Sequence, residues 1–475
     1  MAKNSSQLLE LMPHAHKYNA TLNGLGRWWQ LVTLVGKINS QEIAATLLED
    51  MDSTRSKLEE LQRNLINSLV TLNLRKLDQE LSAGAQVAID ILIRNLFERT
   101  ADVGFLATDD DIRHFLRDPQ PDSQANIIER LHEYILKYSV YDEIILLDAD
   151  GVVKAHLDQE NPISRSCDPL ISETIRGSEP YVETFRHSDL QPNRRHSLIY
   201  SARITESDDP GSHLIGVLCL CFRFDDEMAG IFDNLSKSDE IIAIVDKQGK
   251  TIASNNHQQL PLESHIKEVL DQTAAIIDYN KTFYIAKTTR TSGYQGFYGL
   301  SWQGHIMKPT ASAFASDTAI NNEEYAALVK DASFFSNELK RINATATAII
   351  DDLILVVLNG QIISAKRDAK DFMPVLDEIR DIGQKTKAVF DDSISNLYNT
   401  VVSSLLNDLQ FRAALAVDIM DRNLYERAND VRWWALTTRF RELMAKSQPD
   451  VADTATLSST LTYINNLYTV YTNLF

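Results

Sequence analysis

Apolar residues recur every three or four positions through the first third of the chain, a pattern typical of helices with one buried face. Between residues 49 and 81 no proline interrupts the pattern, and the leucines that carry it are Leu58, Leu61, Leu65, Leu69 and Leu72. Gly84 predicts a weak break before a second helical stretch, Gln86–Leu106. After a Pro119–Ser123 loop, the sequence predicts a further helix from about Ala125 to Tyr138.

The pattern then changes to short apolar runs that are closed by polar turns, which predicts β-hairpins. Two of these runs are alike: EIILLDADGVVKAHL at 143–157 and EIIAIVDKQGKTIAS at 240–254. Gly151 and Gly249 each follow an aspartate by three residues, where a tight turn requires a positive φ. Because each hairpin precedes a polar loop, a helix and further strands, we expect two small antiparallel sheets in tandem.

One helical phrase occurs twice, 328 positions apart. It reads NLFERTADV at 95–103 and NLYERANDV at 423–431. Over the 18 positions that begin at Asp90 and at Asp418, ten residues are identical, whereas chance gives roughly one. The similarity resumes at 468–475, which matches 138–145 at an offset of 330. We therefore expect one module and the start of a second copy, in a chain that is either a fragment or ends after its second helical segment.

Composition excludes several classes of partner. The net charge of −19 would be repelled by nucleic acid and by anionic membrane surfaces. Three cysteines are too few for a disulfide framework and fit a reducing compartment. The nearest apolar run, Leu353–Leu358, is far shorter than the ~18 residues of a membrane span, and the N-terminus has no signal-peptide core. The sequence therefore predicts a cytoplasmic protein without a membrane span.

The hairpins and the strands after them resemble the double Cache family, in which two PAS-like units follow a long helix. The resemblance covers roughly Gln86–Phe314 and rests on IVDKQGKTIAS, GLSWQGHIMKPTASAF and GSEPYVETFRHSDLQPNRRHSLIYSARI. The repeated phrase is similar to one in helix–Cache proteins of chemotaxis-related bacterial sequences. The resemblance implies a sensor domain like the extracytoplasmic ones of chemoreceptors and histidine kinases. Without a membrane span, it implies an intracellular sensor or a soluble component of a signalling complex.

The predicted fold class is α+β, with helical segments that flank two tandem PAS-like antiparallel-sheet domains. The expected segments are an N-terminal helical region (1–82), a long leading helix with its connection (83–124), a first and a second Cache unit (125–232 and 233–315), a second helical segment that repeats 1–117 (316–450) and the start of a truncated second Cache unit (451–475). Residues 310–322 are small and polar and are predicted to be a linker.

The ligand-binding residues predicted in the first unit are Arg165, Tyr181, Arg186, Tyr200 and Asp225. Two arginines beside tyrosines suit an anionic organic ligand, which they would hold through bidentate hydrogen bonds. The residues after Arg165, and Phe185 and His187, depart from the aromatic and aspartate residues of amino-acid-sensing members. These departures do not favour an amino-acid ligand.

The function expected from these residues is signal transduction by a protein that is not an enzyme. The sequence has no nucleophile elbow, P-loop, dinucleotide-binding glycine pattern, HExxH or CxxC, so we predict no catalytic residue, metal or cofactor. A small ligand would shift conformational populations, and the long helix would pass the change to a signalling partner, with the chain as a homodimer through its helices. The alternative is a helical scaffold or adaptor of a chemotaxis-type complex whose Cache units bind nothing.

Several groups that could carry chemistry are interpreted as structural. Cys219 and Cys221 alternate along one strand as core side chains, and Asp109 caps a helix. One member of each tryptophan pair, 28–29 and 433–434, is expected to pack against a neighbouring helix. The residues of the repeated phrase are interpreted as helix-packing residues of a duplicated helix. The alternative is that its charged side contacts the sheet domain and transmits the effect of ligand binding to the helix. Three histidines are interpreted as scattered and not as zinc ligands: His187, His196 and His213.

Overall fold

The chain divides into two units, and each is described by itself. The computed structural model describes residues 5–39, 44–137, 139–209, 211–236, 239–314, 337–366, 372–468 and 470–475. The first unit comprises Met1–Leu81, Ile276–Ile285 and Lys308–Ala414. The second comprises Ser82–Ala275, Ala286–Met307 and Leu415–Phe475. Residues 315–336, which precede the second helical segment, lie outside the described residues. Only the start of the predicted linker, 310–314, is therefore described.

Helices make up most of the described chain. They are α1 Ser5–Glu10, α2 Pro13–Asn39, α3 Ala44–Ala107, α4 Asp110–Arg117, α5 Pro121–Lys137, α6 Pro169–Arg176, α7 Phe224–Leu235, α8 Thr310–Ala313, α9 Asn337–Lys366, α10 Met373–Trp434, α11 Thr438–Met444 and α12 Val451–Leu467. The break predicted at Gly84 is wrong, because α3 is one helix of 64 residues. Gly84 instead makes room for a neighbour, since a Cβ there would lie 2.6 Å from Ile306 Cδ1.

Two five-stranded antiparallel sheets confirm the predicted fold class. The first consists of β1 Tyr141–Leu147, β2 Val153–His156, β3 Val182–Arg186, β4 Ser197–Thr205 and β5 Leu214–Phe222, and the second of β6 Ile241–Val245, β7 Thr251–Ser254, β8 Ala275–Tyr279, β9 Thr282–Arg290 and β10 Gln303–Pro309. Their strand orders are β2-β1-β5-β4-β3 and β7-β6-β10-β9-β8. The orders are equivalent, so the protein is α+β with two PAS-like sheets.

The hairpin turns form for the reason that the sequence predicts. Gly151 has a φ of 76° and Gly249 a φ of 75°, in the left-handed region that glycine enters at no steric cost. The side chain of Asp148 accepts hydrogen bonds from the backbone N–H of residues 150 and 152, each at 2.9 Å. Asp246 does the same at 2.8 and 2.9 Å. These turns therefore fix the register of both hairpins.

The first unit is built on helices α2 and α9 and on the parts of α3 and α10 that belong to it. Their apolar faces form one core, which contains Trp29, Leu65, Ile350, Leu353 and Phe390. Trp29 is buried and Trp28 is half exposed, so this pair behaves as expected. The strand residues in the described part of this unit are most of β8, the first half of β9 and the last two residues of β10.

Helix α9 is long and apolar enough to cross a membrane, by length and composition. The stretch concerned is Lys340–Lys366, and a third of its most apolar window is buried. The sequence prediction of no span missed this helix because Asp351 and Asp352 interrupt its apolar runs. The buried core helix of a soluble protein passes the same test, and Ile350 and Leu353 belong to the core of the first unit.

In the second unit, the two copies of the repeated phrase lie on α3 and α10 and contact each other reciprocally. Arg99 Nη2 lies 3.4 Å from Glu426 Oε2, and Arg427 Nη2 lies 3.1 Å from Glu98 Oε2. The two contacts exchange equivalent residues, because Glu98 and Arg99 correspond to Glu426 and Arg427. The phrase therefore packs one helix against the other through crossed ion pairs.

The contacts within each copy are also equivalent. In both, the arginine pairs with the aspartate three residues later, at 3.3 Å in α3 and 3.0 Å in α10. Asp102 accepts a hydrogen bond from Tyr141 Oη at 2.6 Å, and Asp430 accepts one from Tyr471 Oη at 2.9 Å. Tyr141 begins β1, so the first sheet is tied to the helix pair by a buried hydrogen bond.

Trp433 fills the space between these helices and the first sheet. Its indole N–H donates to the carbonyl oxygen of Tyr134 at 2.9 Å, and its ring stacks near Phe105 and Tyr141 at centroid distances of 6.2 and 6.4 Å. Trp434 is buried too. Both tryptophans of this pair therefore pack in the interior, although the sequence predicted that only one would.

The buried charge should make stability depend on pH. Burial raises the pKa of Glu426 to about 7 and that of Asp430 to about 7. A carboxyl whose folded-state pKa lies above its unfolded value weakens folding as the pH rises from ~4 towards 7. We expect Glu426→Gln to gain roughly 1–3 kcal/mol in free energy of unfolding relative to the parent chain between pH 5 and pH 8, measured by urea denaturation.

Asp421→Asn is the matched control, because Asp421 lies exposed on the same helix. Its free energy of unfolding should follow that of the parent chain at both pH values. The same pH dependence in Glu426→Gln and in the parent would contradict the prediction.

Candidate ligand-binding cleft

A cleft of about 490 Å³ lies in the second unit, where β3 of the first sheet and the loop before β4 meet the β6–β7 hairpin of the second sheet. Its charged and polar lining residues are Arg186, Asn193, Arg194, Arg195, His196, Asp225, Asp246, Lys250, Thr251 and Glu263. Its apolar lining includes Phe185 and Trp302. Both sheets thus contribute to one concave surface, the usual form of a small-molecule site.

Aromatic rings form the apolar wall of the cleft. Phe185 contacts Trp302 edge to face at a centroid distance of 5.1 Å, and Phe224 lies 4.9 Å from Phe185 and 5.4 Å from Trp302. The imidazole of His196 stacks on Phe185 at 5.4 Å. This cluster offers flat apolar surface to a ligand, and it joins the two sheets because Trp302 precedes β10 and Phe185 lies on β3.

Glu263 lies among two cationic side chains and an imidazole at the polar side of the cleft. Its carboxylate accepts a hydrogen bond from Lys250 Nζ at 3.1 Å, lies 3.1 Å from His196 Nε2 and forms an ion pair with Arg195. The hydrogen bond from Lys250 lowers the pKa of Glu263 below its ordinary value. Glu263 also has a φ of 64°, a left-handed conformation that is uncommon for a side chain of this kind. A carboxylate is therefore held among cations by a strained backbone, as found at functional sites.

Arg194 connects the cleft with the helix that follows the first sheet. Its guanidinium lies 2.5 Å from Asp142 and 3.7 Å from Asp225. Asp225 is in the first turn of α7 and largely exposed. Because Asp142 already compensates Arg194, the exposed Asp225 is the partner that a ligand can more easily replace.

Two of the five predicted ligand-binding residues, Arg186 and Asp225, line this cleft. Arg186 is also held in a bidentate ion pair by Asp168, at 2.5 and 2.8 Å. Asp168 caps helix α6 and accepts a further hydrogen bond from Ser188 Oγ at 2.5 Å. Arg186 therefore has a structural role beside any role in binding.

The structure places the other three predicted residues elsewhere. Arg165 donates to the carbonyl oxygen of Asp150 in the β1–β2 turn and is exposed. Tyr181 and Tyr200 lie together, with ring centroids 6.2 Å apart. Arg186 pairs with Ser197 across the sheet, and Tyr200 is three residues further along β4, so Arg186 and Tyr200 point to opposite faces.

The face of the first sheet that packs against α6 is filled with side chains. Its core contains Ile145, Leu147, Leu170, Ile171, Leu190, Ile199, Val217, Cys219 and Cys221. The hydroxyl of Thr174 on α6 donates to Ser201 Oγ at 3.0 Å. Both cysteines are buried and free, as interpreted from the sequence. Within the described residues, no group of three or more His, Cys, Asp or Glu side chains could hold a metal ion.

Sequence reasoning missed most of the cleft. The predicted ligand-binding residues include none of Arg194, Arg195, Lys250, Glu263 and Trp302. The sequence carries little signal for these residues. Lys250 and Glu263 follow the Asp246-x-x-Gly249 turn, whereas Arg194 and Arg195 lie more than fifty residues earlier, and no motif links the two segments. Only the packing of one sheet beside the other brings these positions together.

No protein-family model and no curated protein matches this sequence. Solved structures similar to it include the histidine kinase DctB sensor domain of V. cholerae, which is 12% identical over 50% of this chain and 96% of that chain, with a TM-score of 0.37. The ligand-binding domain of the Pseudomonas fluorescens chemoreceptor CtaA, in complex with L-isoleucine, is 12% identical over 50% and 95%, with a TM-score of 0.36. That of the Pseudomonas aeruginosa amino acid chemoreceptor PctB, in complex with L-Arg, is 15% identical over 51% and 100%, with a TM-score of 0.36. At these values, function has to be argued from the site.

Asp168 should stabilise the wall of the cleft. Although burial alone would raise it, hydrogen bonds from Arg186, Ser188 and the backbone of Leu170 hold the pKa of Asp168 below its ordinary value. We expect Asp168→Ala to lower the free energy of unfolding by about 2–4 kcal/mol at pH 7, because it removes a helix cap and the partner of Arg186. The loss should shrink as the pH falls below ~4, where the parent carboxylate is protonated.

Asp150→Ala is the control, since Asp150 is exposed in the β1–β2 turn and, within the residues that the structure describes, its side chain accepts no hydrogen bond. Urea denaturation of both variants decides the matter. Equal midpoints for Asp168→Ala and Asp150→Ala would show that the buried network contributes nothing.

Proposed function

We propose that the chain is a signal-transduction sensor that binds a small organic anion in the cleft between its two sheets. The observation that carries this proposal is the position of helix α7. One turn of this helix contains both a residue that lines the cleft and a residue that contacts α3 and α10. The binding site is therefore linked to the helix pair that would transmit the signal. Conformational selection by the ligand needs such a connection.

Helix α7 contacts both the cleft and the helix pair α3 and α10. Phe224 packs in the aromatic wall, and Asp225 lines the cleft. Two residues later, Glu227 accepts hydrogen bonds from Asn95 on α3 at 2.5 Å and is ion-paired with Arg422 on α10 at 2.8 Å. A ligand that moves the first turn of α7 would thus alter a contact to each helix.

Both sheets also contact α3 directly. The first does so through Tyr141, as described above, and the second through Gly304 of β10, while Tyr294 in the loop before β10 places its ring 5.2 Å from that of Phe97. A Cβ on Gly304 would lie 2.0 Å from the carbonyl oxygen of Ala85, so β10 approaches the helix backbone very closely. Closure of the cleft would change the angle between the sheets, and α3 would have to adjust to both.

The lining of the cleft suggests the class of ligand. The carboxylate of Glu263 occupies a position beside two cationic groups, Arg195 and Lys250, that a ligand carboxylate could take through charge-assisted hydrogen bonds. The aromatic wall suits a flat apolar body attached to that carboxylate. We therefore propose an aromatic or similarly flat organic acid. The amino acids bound by the chemoreceptors named above are ligands of those proteins.

A second candidate function is a helical scaffold or adaptor whose Cache units bind nothing. Two observations favour it: the α6 face of the first sheet is filled, and Arg186 is already bound by Asp168. In either case we propose a protein without enzymatic activity. The cytoplasmic location, the homodimer through helices and the signalling partner stay predictions from the sequence.

Calorimetric titration of the full chain tests the ligand class. We expect benzoate or phenylacetate to bind, and the dicarboxylate succinate to bind at least tenfold more weakly, because it lacks a flat apolar body. Arg195→Ala and Lys250→Ala should each weaken binding about tenfold or more, as expected for loss of a charge-assisted hydrogen bond. Arg165→Ala is the matched control and should leave the affinity unchanged, because Arg165 lies outside the cleft.

Two results would count against this assignment. An equal loss of affinity in Arg165→Ala and Arg195→Ala would place the site in the first sheet domain, as the sequence predicts. No heat and no thermal stabilisation with any of these acids would favour the scaffold.

The relay through α7 makes a separate prediction. Glu227→Gln should bind the ligand with the parent affinity but should abolish the ligand-dependent change in amide hydrogen exchange at residues 415–434, because the ion pair to Arg422 is lost. Asp233→Asn, on the same helix and exposed, is the control and should keep the change. A full exchange response in Glu227→Gln would exclude this route.

A further inference from the structure

The second copy of the helical phrase reproduces the local structure of the first up to the residues that begin a sheet there. Helix α11 corresponds to α4 at the offset of 328, and α12 corresponds to α5 at 330, each of this second pair having 17 residues. Tyr471 binds Asp430 as Tyr141 binds Asp102. The two copies are thus alike in helix lengths and in buried polar contacts.

The copies differ in what covers them. On α3, the side chain of Ile89 lies against Gly304 of β10, where an added Cβ would approach it to 3.3 Å. Phe97 packs against Tyr294 and Phe297 at centroid distances of 5.2 and 5.9 Å. At Ile89 and Phe97, α3 is therefore covered by the second sheet and the loop before β10.

The equivalent face of α10 is open to solvent. Relative exposures, each followed by that of the α3 equivalent, are Val417 55% against Ile89 0%, Met420 60% against Leu92 0%, Leu424 64% against Leu96 0% and Val431 56% against Val103 0%. Side chains of the same kind, identical at two of the four positions, are buried in one copy and exposed in the other.

A polar group on an adjacent side of the helix shows the same difference. Asp90 accepts hydrogen bonds from Thr291 Oγ1 at 2.8 Å and from the backbone N–H of Ser292 at 2.9 Å. Its equivalent Asp418 is identical and exposed, and forms no side-chain hydrogen bond within the described ranges. α10 thus presents apolar groups equivalent to ones that are buried on α3, and on an adjacent side it presents the equivalent of the Asp90 acceptor, whereas Asp421 stands at the position of Ile93.

We propose that the face of α10 formed by Val417, Met420, Leu424 and Val431 is the docking surface for a partner that presents a second two-sheet module of the type formed by residues 139–309. A second copy of this chain fits the surface less well. Its own sheets already cover its α3, and pairing α10 with α10 would bring together two chains that each carry a net charge of −19. The Thr291–Ser292 donors of a two-sheet module complement Asp418 instead.

Cysteine labelling tests the proposal, with the module itself as the probe. Leu424→Cys is placed in the full chain in a Cys167→Ser background, which leaves two buried cysteines. A second form of this chain carries an additional copy of residues 139–314 attached after Phe475, which gives the module a high effective concentration. We expect reaction of the residue 424 thiol with a maleimide to slow at least tenfold in the extended chain. Met420→Glu should restore the fast reaction there.

Ser459→Cys is the matched control, because Ser459 is exposed and its equivalent in the first copy, Glu129, is exposed beside a docked module. Its labelling rate should be the same in both chains. If the added module folds, as judged by the gain in strand signal in circular dichroism, and the residue 424 thiol reacts as fast as before, the proposal is wrong. Protection that rises with concentration in the chain without the added module, and that Met420→Glu removes, would assign the face to a second copy and would also overturn it.

Discussion

The second unit depends on the compensation of buried charge between α3 and α10. Four carboxylates and two guanidinium groups meet there: Glu98, Asp102, Glu426, Asp430, Arg99 and Arg427. Removing charges from water costs several kcal/mol for each ion unless partners replace the hydration. The crossed ion pairs and the tyrosine hydroxyls supply these partners. The part of the burial penalty that these partners do not offset appears in the raised pKa values of Glu426 and Asp430. A helix pair held in this way has little freedom to change its register.

This constraint makes the cleft a reasonable place from which to act on the helices. A rigid helix pair moves as a body, so a change at a single contact can be felt along it. Glu227 makes such a contact to each helix, and it lies two residues from the lining of the cleft. Glu263, whose backbone is in the left-handed region, also lines the cleft.

The sheets could be predicted from the sequence because their signals are local. An aspartate three residues before a glycine fixes a turn, and alternating apolar residues fix the strands beside it. The candidate site could not be predicted, because it depends on strand register and on the packing of one sheet beside the other. Tyr200 and Arg186 were both predicted to bind one ligand, but the pairing of Arg186 with Ser197 places their side chains on opposite faces of the sheet. The break expected at Gly84 failed for a related reason, since the tertiary contact with Ile306 overrides helix propensity there.

The repeated phrase shows how much a local sequence can specify without its surroundings. Positions identical in both copies fall into two groups. Those that face the other helix, such as Arg99 and Arg427, have equivalent environments, because the crossed pairing serves both copies at once. Those on the other side, such as Leu96 and Leu424, have the same side chain in opposite environments. Helix pairing accounts for the identity of the first group but not of the second. An apolar residue that is repeated on a solvated surface gains nothing from burial there. If a sheet module covered α10 as one covers α3, burial against a neighbour would explain the identity of both groups of residues.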